Sequence, residues 1–402
     1  MKMKKEEKGV TAASGFSAAG IHCGLKKTGK KDLALIYSSR PAAAAGVFTQ
    51  NRFQAAPVIV TRRHIASGSA RAIVCNSGNA NACSGEQGLY DAKRMAEVAA
   101  EKLGLQAEEV LVASTGVIGS NLPMEKIEAG IEKAAGLLSP DGWRDAAEAI
   151  LTTDLVAKNA AYSLEIGGKM VTAGGIAKGS GMICPNMATM LSFVTTDCAI
   201  TPDLLQRALR QTVDYSYNLI TVDGDTSTND MALVLANGMA QNPLIAEEND
   251  DFRRFVELLQ QVNTELAQKI VRDGEGASKF LEVTVKNAPS YADGKKIALG
   301  ILNSNLVKTA FFGEDANWGR IISAIGQTDA DFDPERVDIF LGDLQVARNG
   351  CGLPFSEERA KEILAERDIS IMVDLHLGKE KVTAWGSDLS YEYVRINASY
   401  RS

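Results

Sequence analysis

Apolar and polar positions follow two alternating patterns along the 402 residues of this chain. Short runs rich in β-branched residues predict strands, and apolar residues spaced three or four apart predict helices. The predicted strands are Leu33–Tyr37, Pro57–Thr61, Ala70–Cys75, Val110–Ala113, Tyr162–Ile166, Leu191–Thr196, Leu281–Val285, Val337–Leu341, Ser370–Leu377 and Tyr391–Ile396. The predicted helices are Leu89–Leu103, Pro123–Leu138, Trp143–Leu151, Asp203–Tyr215, Asn249–Val271, Ile301–Ala310 and Ser356–Arg367. This mixture predicts an α/β (α+β) fold in which layered sheets are covered by helices.

The composition is that of an ordinary globular protein. Apolar residues make up 45% and charged residues 23%, which excludes the disordered, collagen-like and coiled-coil classes. Since a domain takes about 100–200 residues, the length suits two or three domains, and we predict two. The net charge of −7 would repel a phosphate backbone, so we expect no nucleic-acid partner.

The histidines and cysteines do not indicate a metal centre. His22, His64 and His376 are far apart, and the six cysteines show neither a CxxC pair nor a metal-finger spacing. We therefore predict no metal, and we interpret the cysteines as buried thiols in a reducing compartment. The chain shows no apolar signal-peptide core and no run of about 18 apolar residues. These patterns predict a cytoplasmic protein without a membrane partner.

The segment 174–191 is rich in glycine and leads directly into a predicted strand. It does not fit a phosphate-binding P-loop, because Lys178 precedes Gly179 and Gly181 and no GK[ST] follows. Thr189 lies at the mouth of the strand, and a threonine hydroxyl needs an adjacent base to act as a nucleophile. Its own α-amine would serve if the chain were cut before it. From the residues alone this is one idea among several, and an ordinary strand threonine is the common case.

Long motifs along the whole chain resemble those of one family in the same order. They are AGVFTQNRFQAAPV (45–58), NSGNANACSGEQG (76–88), ASTGVIG (113–119), LTTD (151–154), KGSGMICPNMATML (178–191), DGDTSTND (223–230), DGEGASK (273–279), FFGEDANWGRI (311–321) and the terminal YVRINASYRS. On these motifs the chain resembles the ornithine acetyltransferase family, the bifunctional arginine-biosynthesis ArgJ proteins. Any single motif would be weak, but so many in the right order are highly specific.

The resemblance implies an ArgJ/DmpA-like fold and a chain that cuts itself between Ala188 and Thr189. The products would be an α fragment, 1–188, with the oxyanion hole and the Lys178 loop, and a β fragment, 189–402. Thr189 would be the nucleophile of both the self-cleavage and the catalysed reaction. The family's α and β fragments stay together, which implies a heterotetramer.

The same resemblance assigns the remaining site residues. Thr115 and Gly116 would form the oxyanion hole, although a turn that needs glycine would leave the same pattern. The substrate contacts would be Thr152 or Thr153, of which we favour Thr152, together with Lys178, Thr189, Glu275, Asn397 and Ser402. The final residue can bind substrate only if the terminus is docked inside, and the predicted strand Tyr391–Ile396 favours a buried end. We expect the polar loops 76–81 and 223–230 to lie near this site.

The implied activity is a double displacement on small substrates. Thr189 would take the acetyl group from N-acetylornithine and pass it to glutamate, with no cofactor, and use of acetyl-CoA as a co-substrate stays open. Two alternatives remain. One is an N-terminal-nucleophile amidase or aminopeptidase with water as the acceptor, and the other is a non-catalytic amino-acid-binding protein that stays uncut.

Overall fold

The computed structural model describes residues 3–184 and 190–399. Its strands are β1 (Lys4–Lys5), β2 (Phe16–Ile21), β3 (Leu33–Phe48), β4 (Ser69–Asn79), β5 (Val110–Val117), β6 (Lys158–Ile166), β7 (Lys169–Lys178), β8 (Leu191–Thr196), β9 (Ile220–Thr221), β10 (Met231–Ala236), β11 (Phe280–Ala288), β12 (Asp338–Leu341), β13 (Leu344–Arg348), β14 (Cys351–Gly352), β15 (Asp368–Asp374) and β16 (Glu380–Ser387). Its helices are α1 (Ala56–His64), α2 (Gly85–Leu103), α3 (Met124–Ala135), α4 (Trp143–Ala149), α5 (Pro202–Asp214), α6 (Asp250–Arg272), α7 (Tyr291–Asn303), α8 (Asn305–Phe312), α9 (Trp318–Gly326), α10 (Glu357–Ala365) and α11 (Tyr391–Ser399).

The larger sheet has nine strands within the described part of the chain and contains both β8 and β10. Its order is β1-β6-β7-β8-β10-β3-β4-β5, with β2 paired to β3 beside this path. β8 is antiparallel to β7 and parallel to β10, and every residue of β8 and β10 is buried. β8 has the sequence LSFVTT, and its β-branched and aromatic residues are typical of a strand, which is why its bounds could be predicted. Strands that precede and strands that follow the undescribed residues 185–189 therefore lie side by side in one sheet.

The second sheet, as far as residues 3–184 and 190–399 show it, has seven strands in the order β14-β13-β12-β15-β11-β16-β9. Helix α6 contacts β6 and β7 of the larger sheet and β16 of the second sheet. Asn249 caps this helix by accepting a hydrogen bond from the Phe252 N–H at 3.0 Å, and Phe255, Leu259 and Leu266 are fully buried on its apolar side. A helix with both sheets as neighbours gives the layered α/β arrangement, so the predicted fold class is confirmed.

The predicted strand Pro57–Thr61 is wrong, because these residues lie inside α1. Pro57 occupies the first turn of the helix, where the missing N–H costs nothing and the fixed φ suits the helix. The β-branched residues Val58 and Val60 are buried, and α1 contacts β5 and α2. Tertiary packing thus outweighs their modest preference for strands.

The predicted strand Tyr391–Ile396 and the buried chain end are also wrong within the described residues. Tyr391–Ser399 forms α11, none of whose residues is buried, and Tyr391 is 82% exposed. The Ser390 hydroxyl accepts a hydrogen bond from the Tyr393 N–H at 3.4 Å at the start of this helix. An exposed pair between Glu392 and Arg395 follows the helical spacing of three residues.

The predicted helix Ile301–Ala310 is divided in the structure. Helix α7 ends at Asn303 and α8 begins at Asn305. Ser304 lies between them with extended dihedral angles, and its hydroxyl accepts a hydrogen bond from the Val307 N–H at 3.4 Å. Serine favours such a cap because its hydroxyl satisfies a free backbone donor of the next helix.

Candidate active site

One cavity, lined by both polar and apolar residues, gathers the predicted site residues that the structure describes. Its lining includes Thr115, Gly116, Thr152, Thr153, Lys178, Glu275 and Asn397. They come from the end of β5, the turn after α4, the end of β7, the loop after α6, and α11. Ala188, Thr189 and Ser402 lie outside the described residues. Met190, which follows Thr189 in the sequence, also lines the cavity.

Thr115 and Gly116 lie next to each other at the end of β5. Gly116 has φ +134, and a Cβ at this position would overlap the backbone of Gly78 on the neighbouring strand. Only glycine fits here, because the φ is unfavourable for other residues and the two strands approach closely. Thr115, which is 8% exposed, presents its hydroxyl to Lys178 in the cavity. A hydroxyl and a backbone N–H at such a strand end are donors of the kind that stabilise a developing oxyanion.

Lys178 brings a positive charge into the cavity at the end of β7. Its side chain is buried, and Nζ donates hydrogen bonds to Thr115 Oγ1 at 3.2 Å and to Thr152 Oγ1 at 2.9 Å. Both partners are neutral hydroxyls, so they orient the ammonium without neutralising it. A buried ammonium of this kind is a ready partner for a carboxylate ligand. This hydrogen bond distinguishes the two adjacent threonines, because Lys178 donates to the hydroxyl of Thr152.

A buried ion-pair network fixes the backbone around Lys178. Lys158, which is fully buried, donates to Asp154 at 2.6 Å and to Asp273 at 2.5 Å. The Asp154 carboxylate also accepts hydrogen bonds from the Gly179 N–H at 2.8 Å and the Thr152 N–H at 3.0 Å. Burial alone would raise the pKa of Asp154, but the charges of Lys158 and Lys178 outweigh it and hold the pKa well below its usual range.

Glu275 provides the negative charge of the cavity. Its backbone N–H donates to the Ser180 carbonyl at 3.0 Å, and its carboxylate accepts a hydrogen bond from Asn397 Nδ2 at 2.8 Å. A Cβ at Gly181 would overlap the Glu275 carboxylate, so glycine is needed at that position for the carboxylate to reach the cavity. Lys178 and Glu275 thus give one cavity both a cation and an anion, as a zwitterionic ligand requires.

The loop between β9 and β10 holds the chain just before the undescribed residues 185–189. The Asp223 carboxylate accepts hydrogen bonds from the backbone N–H groups of Met182 at 2.6 Å and Ile183 at 2.8 Å. The Thr226 hydroxyl donates to the Cys184 carbonyl at 3.0 Å. Tyr393 of α11 donates its hydroxyl to the same Asp223 carboxylate at 3.2 Å.

The same loop also holds the chain just after those residues. The Met231 N–H donates to the Met190 carbonyl at 3.0 Å, and Met231 is paired with Leu191 in the parallel register of β10 and β8. Asn229 fixes this end of the loop by donating to the carbonyls of Ala80 at 2.5 Å and Ser114 at 2.8 Å. Loop 223–230 and the segment 76–81 therefore lie beside the cavity, as expected from the sequence, although residues 76–79 are the end of strand β4 and not a loop.

The sequence analysis missed several residues of this cavity. Ser227, Thr228, Asn229 and Asp230 line it, together with Ile118, Met182 and Ile183. Asp230 directly precedes the apolar run of β10, a strand that the sequence analysis did not predict. An acidic side chain next to an apolar run of strand length was the signal that could have located it.

The described residues form neither a metal-binding group of side chains nor a helix that could span a membrane. Within residues 3–184 and 190–399, no group of three or more His, Cys, Asp or Glu side chains is placed to hold a metal ion. None of the helices described there has the length and apolar character needed to span a membrane.

The fold and the cavity define an enzyme with a site for a small charged molecule, and comparison with known proteins identifies its family. The model of the ArgJ family matches residues 17–402, and the chain belongs to this family, which confirms the resemblance. The arginine biosynthesis bifunctional protein ArgJ of Symbiobacterium thermophilum is 56% identical over 396 residues, with 98% of both chains covered. The protein of the same name from Bacillus subtilis (strain 168) is 52% identical and covers 98% of this chain and 96% of its own. A crystal structure of ornithine acetyltransferase complexed with ornithine, from Mycobacterium tuberculosis, is 42% identical, covers 46% of this chain and 100% of that chain, and has a TM-score of 0.44.

Proposed function

We propose that this protein is a glutamate N-acetyltransferase of arginine biosynthesis that moves the acetyl group of N-acetylornithine to glutamate. The observation that carries the proposal is the convergence of Thr115, Lys178 and Glu275 on one cavity next to Met190. Membership of the ArgJ family supports it, as do relatives named for arginine biosynthesis that are more than half identical.

In this proposal the charged side chains bind the two ends of the substrate. The Lys178 ammonium pairs with the α-carboxylate, and the hydroxyl of Thr152 holds that ammonium in place. Glu275 binds the cationic end of ornithine, with its carboxylate oriented by Asn397. One site serves both substrates, because ornithine and glutamate share an amino-acid head and a similar length. The role assigned to Ser402 stays a prediction from the resemblance.

The chemistry is two acyl transfers through a single nucleophile. Thr189 Oγ attacks the acetyl carbonyl of N-acetylornithine, and its proton passes to its own α-amine and then to the leaving amine of ornithine. Thr115 and Gly116 stabilise the oxyanion of each tetrahedral intermediate. Glutamate then attacks acetyl-Thr189, takes the acetyl group as N-acetylglutamate and frees the hydroxyl.

The free α-amine requires maturation by self-cleavage between Ala188 and Thr189. Thr189 Oγ would attack the Ala188 carbonyl, and hydrolysis of the resulting ester would give fragments of 188 and 214 residues. Association of the two fragments is supported by β8, which lies between β7 of the first fragment and β10 of the second in one sheet. A heterotetramer of two such pairs is the assembly that the family resemblance implies, and sedimentation analysis tests it.

A gel and an activity assay test the proposal together. Purified wild-type protein should give two bands under denaturing conditions, and Thr189→Ala should give one full-length band. Incubation with N-acetylornithine should add acetyl to the peptide that starts at Thr189, and glutamate should discharge it as N-acetylglutamate. Release of free acetate at a rate that glutamate does not raise would identify an amidase instead. Ornithine binding by an uncut, inactive wild-type chain would identify a binding protein.

We extend the proposal to acetyl-CoA as a second acetyl donor. The support is the word bifunctional in the names of both relatives. The test is incubation with acetyl-CoA and glutamate in the absence of N-acetylornithine. N-acetylglutamate formed in that mixture, and not formed by Thr189→Ala, supports the second activity, whereas its absence restricts the enzyme to the exchange reaction.

We also propose a cytoplasmic location. The support is that all six cysteines have free thiols, although only Cys75 and Cys198 are buried and Cys83 and Cys351 are exposed, contrary to the expectation that all would be buried. Free thiols are typical of proteins in reducing compartments. Fractionation of cells with an antibody against the chain tests the location.

A further inference from the structure

The loop that carries Glu275 is anchored by a buried carboxylate that the proposed reaction does not use. Asp388 directly follows β16 and is 4% exposed. Its Oδ1 accepts hydrogen bonds from the backbone N–H groups of Ser278 at 2.9 Å and Lys279 at 3.0 Å, and its Oδ2 accepts one from the Ser278 hydroxyl. A buried carboxylate needs such partners, and these three donors all belong to the loop that follows Glu275.

A second contact from the same segment holds the loop one residue after Glu275. The Ser390 hydroxyl donates to the Gly276 carbonyl at 2.6 Å. Gly276 has φ +68, and a Cβ at this position would overlap the backbone nitrogen of Tyr393 in α11. The loop and the start of α11 therefore touch along their backbones, and glycine is the residue that allows this approach.

Helix α8 fixes Asp388 from the other side. Lys308 of this helix is 2% exposed, and its ammonium donates to the Ser387 carbonyl. The Leu389 N–H donates in turn to the Lys308 carbonyl at 3.4 Å. Both neighbours of Asp388 in the chain are thus held by one residue of α8, so its carboxylate is a fixed support for the loop.

Glu275 is therefore held on both sides by buried carboxylates. On the side of α6, Lys158 pairs with Asp273 at 2.5 Å. On the side of β11, Asp388 holds the backbone. Asn397, on the helix that begins three residues after Asp388, donates to the Glu275 carboxylate itself at 2.8 Å. The place of that carboxylate in the cavity thus depends on the loop backbone as well as on the amide.

We propose that Asp388 is a positioning residue that sets the selectivity of the cavity for a substrate with a cationic end. Asp388 acts through Glu275, because it fixes the loop that places the Glu275 carboxylate against the ammonium of ornithine. A misplacement of about 1 Å in such a contact can cost about 100-fold in rate. The inference rests on the proposed function, in which Glu275 binds that end of the substrate. A carboxylate that only caps the end of a strand would affect every substrate alike.

A comparison of two acetyl donors tests this role. N-acetylnorvaline has the carbon chain of N-acetylornithine without the terminal amine, so the ratio of their kcat/KM values, with glutamate as the acceptor, measures selectivity for the cation. Glu275→Gln should lower this ratio about 10-fold or more, because a hydrogen bond between charged groups is lost. Asp388→Ala should lower it about 5-fold or more through misplacement of the same carboxylate. The loss should appear as a higher KM for N-acetylornithine, with kcat/KM for N-acetylnorvaline nearly unchanged.

Three further variants complete the test. Asp388→Asn keeps an oxygen that can accept from the Ser278 and Lys279 N–H groups, so it should retain more of the ratio than Asp388→Ala. Ser278→Ala removes one bond to Asp388 and should lower the ratio in the same direction, even where Asp388→Ala does not fold. Asp251→Ala is the matched control, because Asp251 also accepts a backbone N–H, from Gly167 at 3.0 Å just before β7, and it should leave the ratio unchanged.

A double variant shows whether Asp388 acts through Glu275. Once the contact with the ammonium is lost, misplacement of residue 275 has no further effect on selectivity, so Asp388→Ala/Glu275→Gln should have the same ratio as Glu275→Gln alone. A lower ratio in the double variant overturns the inference. So does an Asp388→Ala ratio equal to that of the wild type, even if transfer from both donors is slower.

The outcomes distinguish failure of this inference from failure of the proposed function. A wild-type enzyme that prefers N-acetylornithine, with Asp388→Ala keeping the full preference, removes the role of Asp388 and leaves the proposed function intact. A wild-type protein that transfers acetyl from neither donor, or from both equally well, contradicts the proposed function and this inference together.

Discussion

The Lys158 ammonium donates to the Asp154 carboxylate across 2.6 Å, and neither side chain is exposed to solvent. Asp273 is the second partner of the same ammonium, so Lys158 joins the segment that carries Thr152 to the loop that carries Glu275. The two segments that carry Thr152 and Glu275 are thus held in place by a buried ion pair with Lys158.

Removal of Lys158 should be strongly destabilising. Lys158→Met leaves two buried carboxylates without their cation, and breaking such a pair typically costs about 3–5 kcal/mol of unfolding free energy. Urea denaturation followed by circular dichroism measures the loss. Lys102→Met, which removes an exposed partner of Glu132, is the matched control and should leave the midpoint unchanged. Equal midpoints for the two variants would contradict the structural role of Lys158.

The depressed pKa of Asp154 predicts a loss of stability in acid. Because this carboxyl is more acidic in the folded state than in the unfolded state, its contribution is present above the unfolded pKa, about 3.9, and is lost as pH falls toward the folded value. The free energy of unfolding should therefore decrease below about pH 4. Asp154→Asn should reduce this slope, and a slope equal to that of the wild type would show that other carboxylates dominate.

Thr115→Ala should lower kcat for acetyl transfer. Loss of one oxyanion donor typically reduces kcat by about 10²–10³ while leaving KM nearly constant. Steady-state rates of N-acetylglutamate formation measure the effect. Thr115→Ser keeps the hydroxyl and should retain most of the activity, so an equally inactive serine variant would argue for packing of the methyl group instead.

Lys178→Met should weaken transfer from N-acetylornithine and transfer to glutamate together. Hydrogen bonds to charged groups contribute about 1.5–3 kcal/mol, which corresponds to roughly 10- to 150-fold in kcat/KM. The assay varies each substrate in turn. Lys93→Met on the exposed face of α2 serves as the control. An effect confined to one substrate would mean that Lys178 does not bind the part of the molecule that both share.

Gly181→Ala should act through Glu275. The added methyl group overlaps the carboxylate, whereas the φ of Gly181 is not in the left-handed region, so the side chain of Glu275 moves and the backbone does not. We expect a higher KM for N-acetylornithine with an unchanged Tm. Gly326→Ala is the control, because a Cβ at that position has no neighbouring atom within 4 Å. The double variant Gly181→Ala/Glu275→Asp should recover part of the affinity, because the shorter aspartate side chain relieves the overlap. A lowered Tm would instead place the strain in the backbone.

Much of the fold could be predicted because burial imposes a pattern on the sequence. The predicted strand Leu191–Thr196, in which β-branched and aromatic residues predominate, has the bounds of β8, whose residues are all buried in the sheet. The pattern failed for α1 and α11, which are nine residues long. In α1, helix packing outweighs the preference of valine for strands, and α11 has no buried face that could produce a periodic signal.

The site could not be predicted from pattern alone, because the fold brings together residues that are distant in the chain. Thr115 and Glu275 line one cavity although 160 positions separate them, and nothing in their local sequences links them. Their pairing was predictable only through the family resemblance. For Asp230 the resemblance gave only the expectation that loop 223–230 lies near the site, because its position beside Met190 follows from the register of β8 and β10.

The place of β8 between β7 and β10 also limits how this protein can be made. If the chain were encoded as two genes divided at position 189, the first product would end with an uncovered strand edge at β7 and the second would begin with the strand that should cover it. Exposed edges of this kind invite association with the wrong partner. Synthesis as a single polypeptide avoids this hazard, because the covalent link keeps β8 close to β7 until the hydrophobic core has formed.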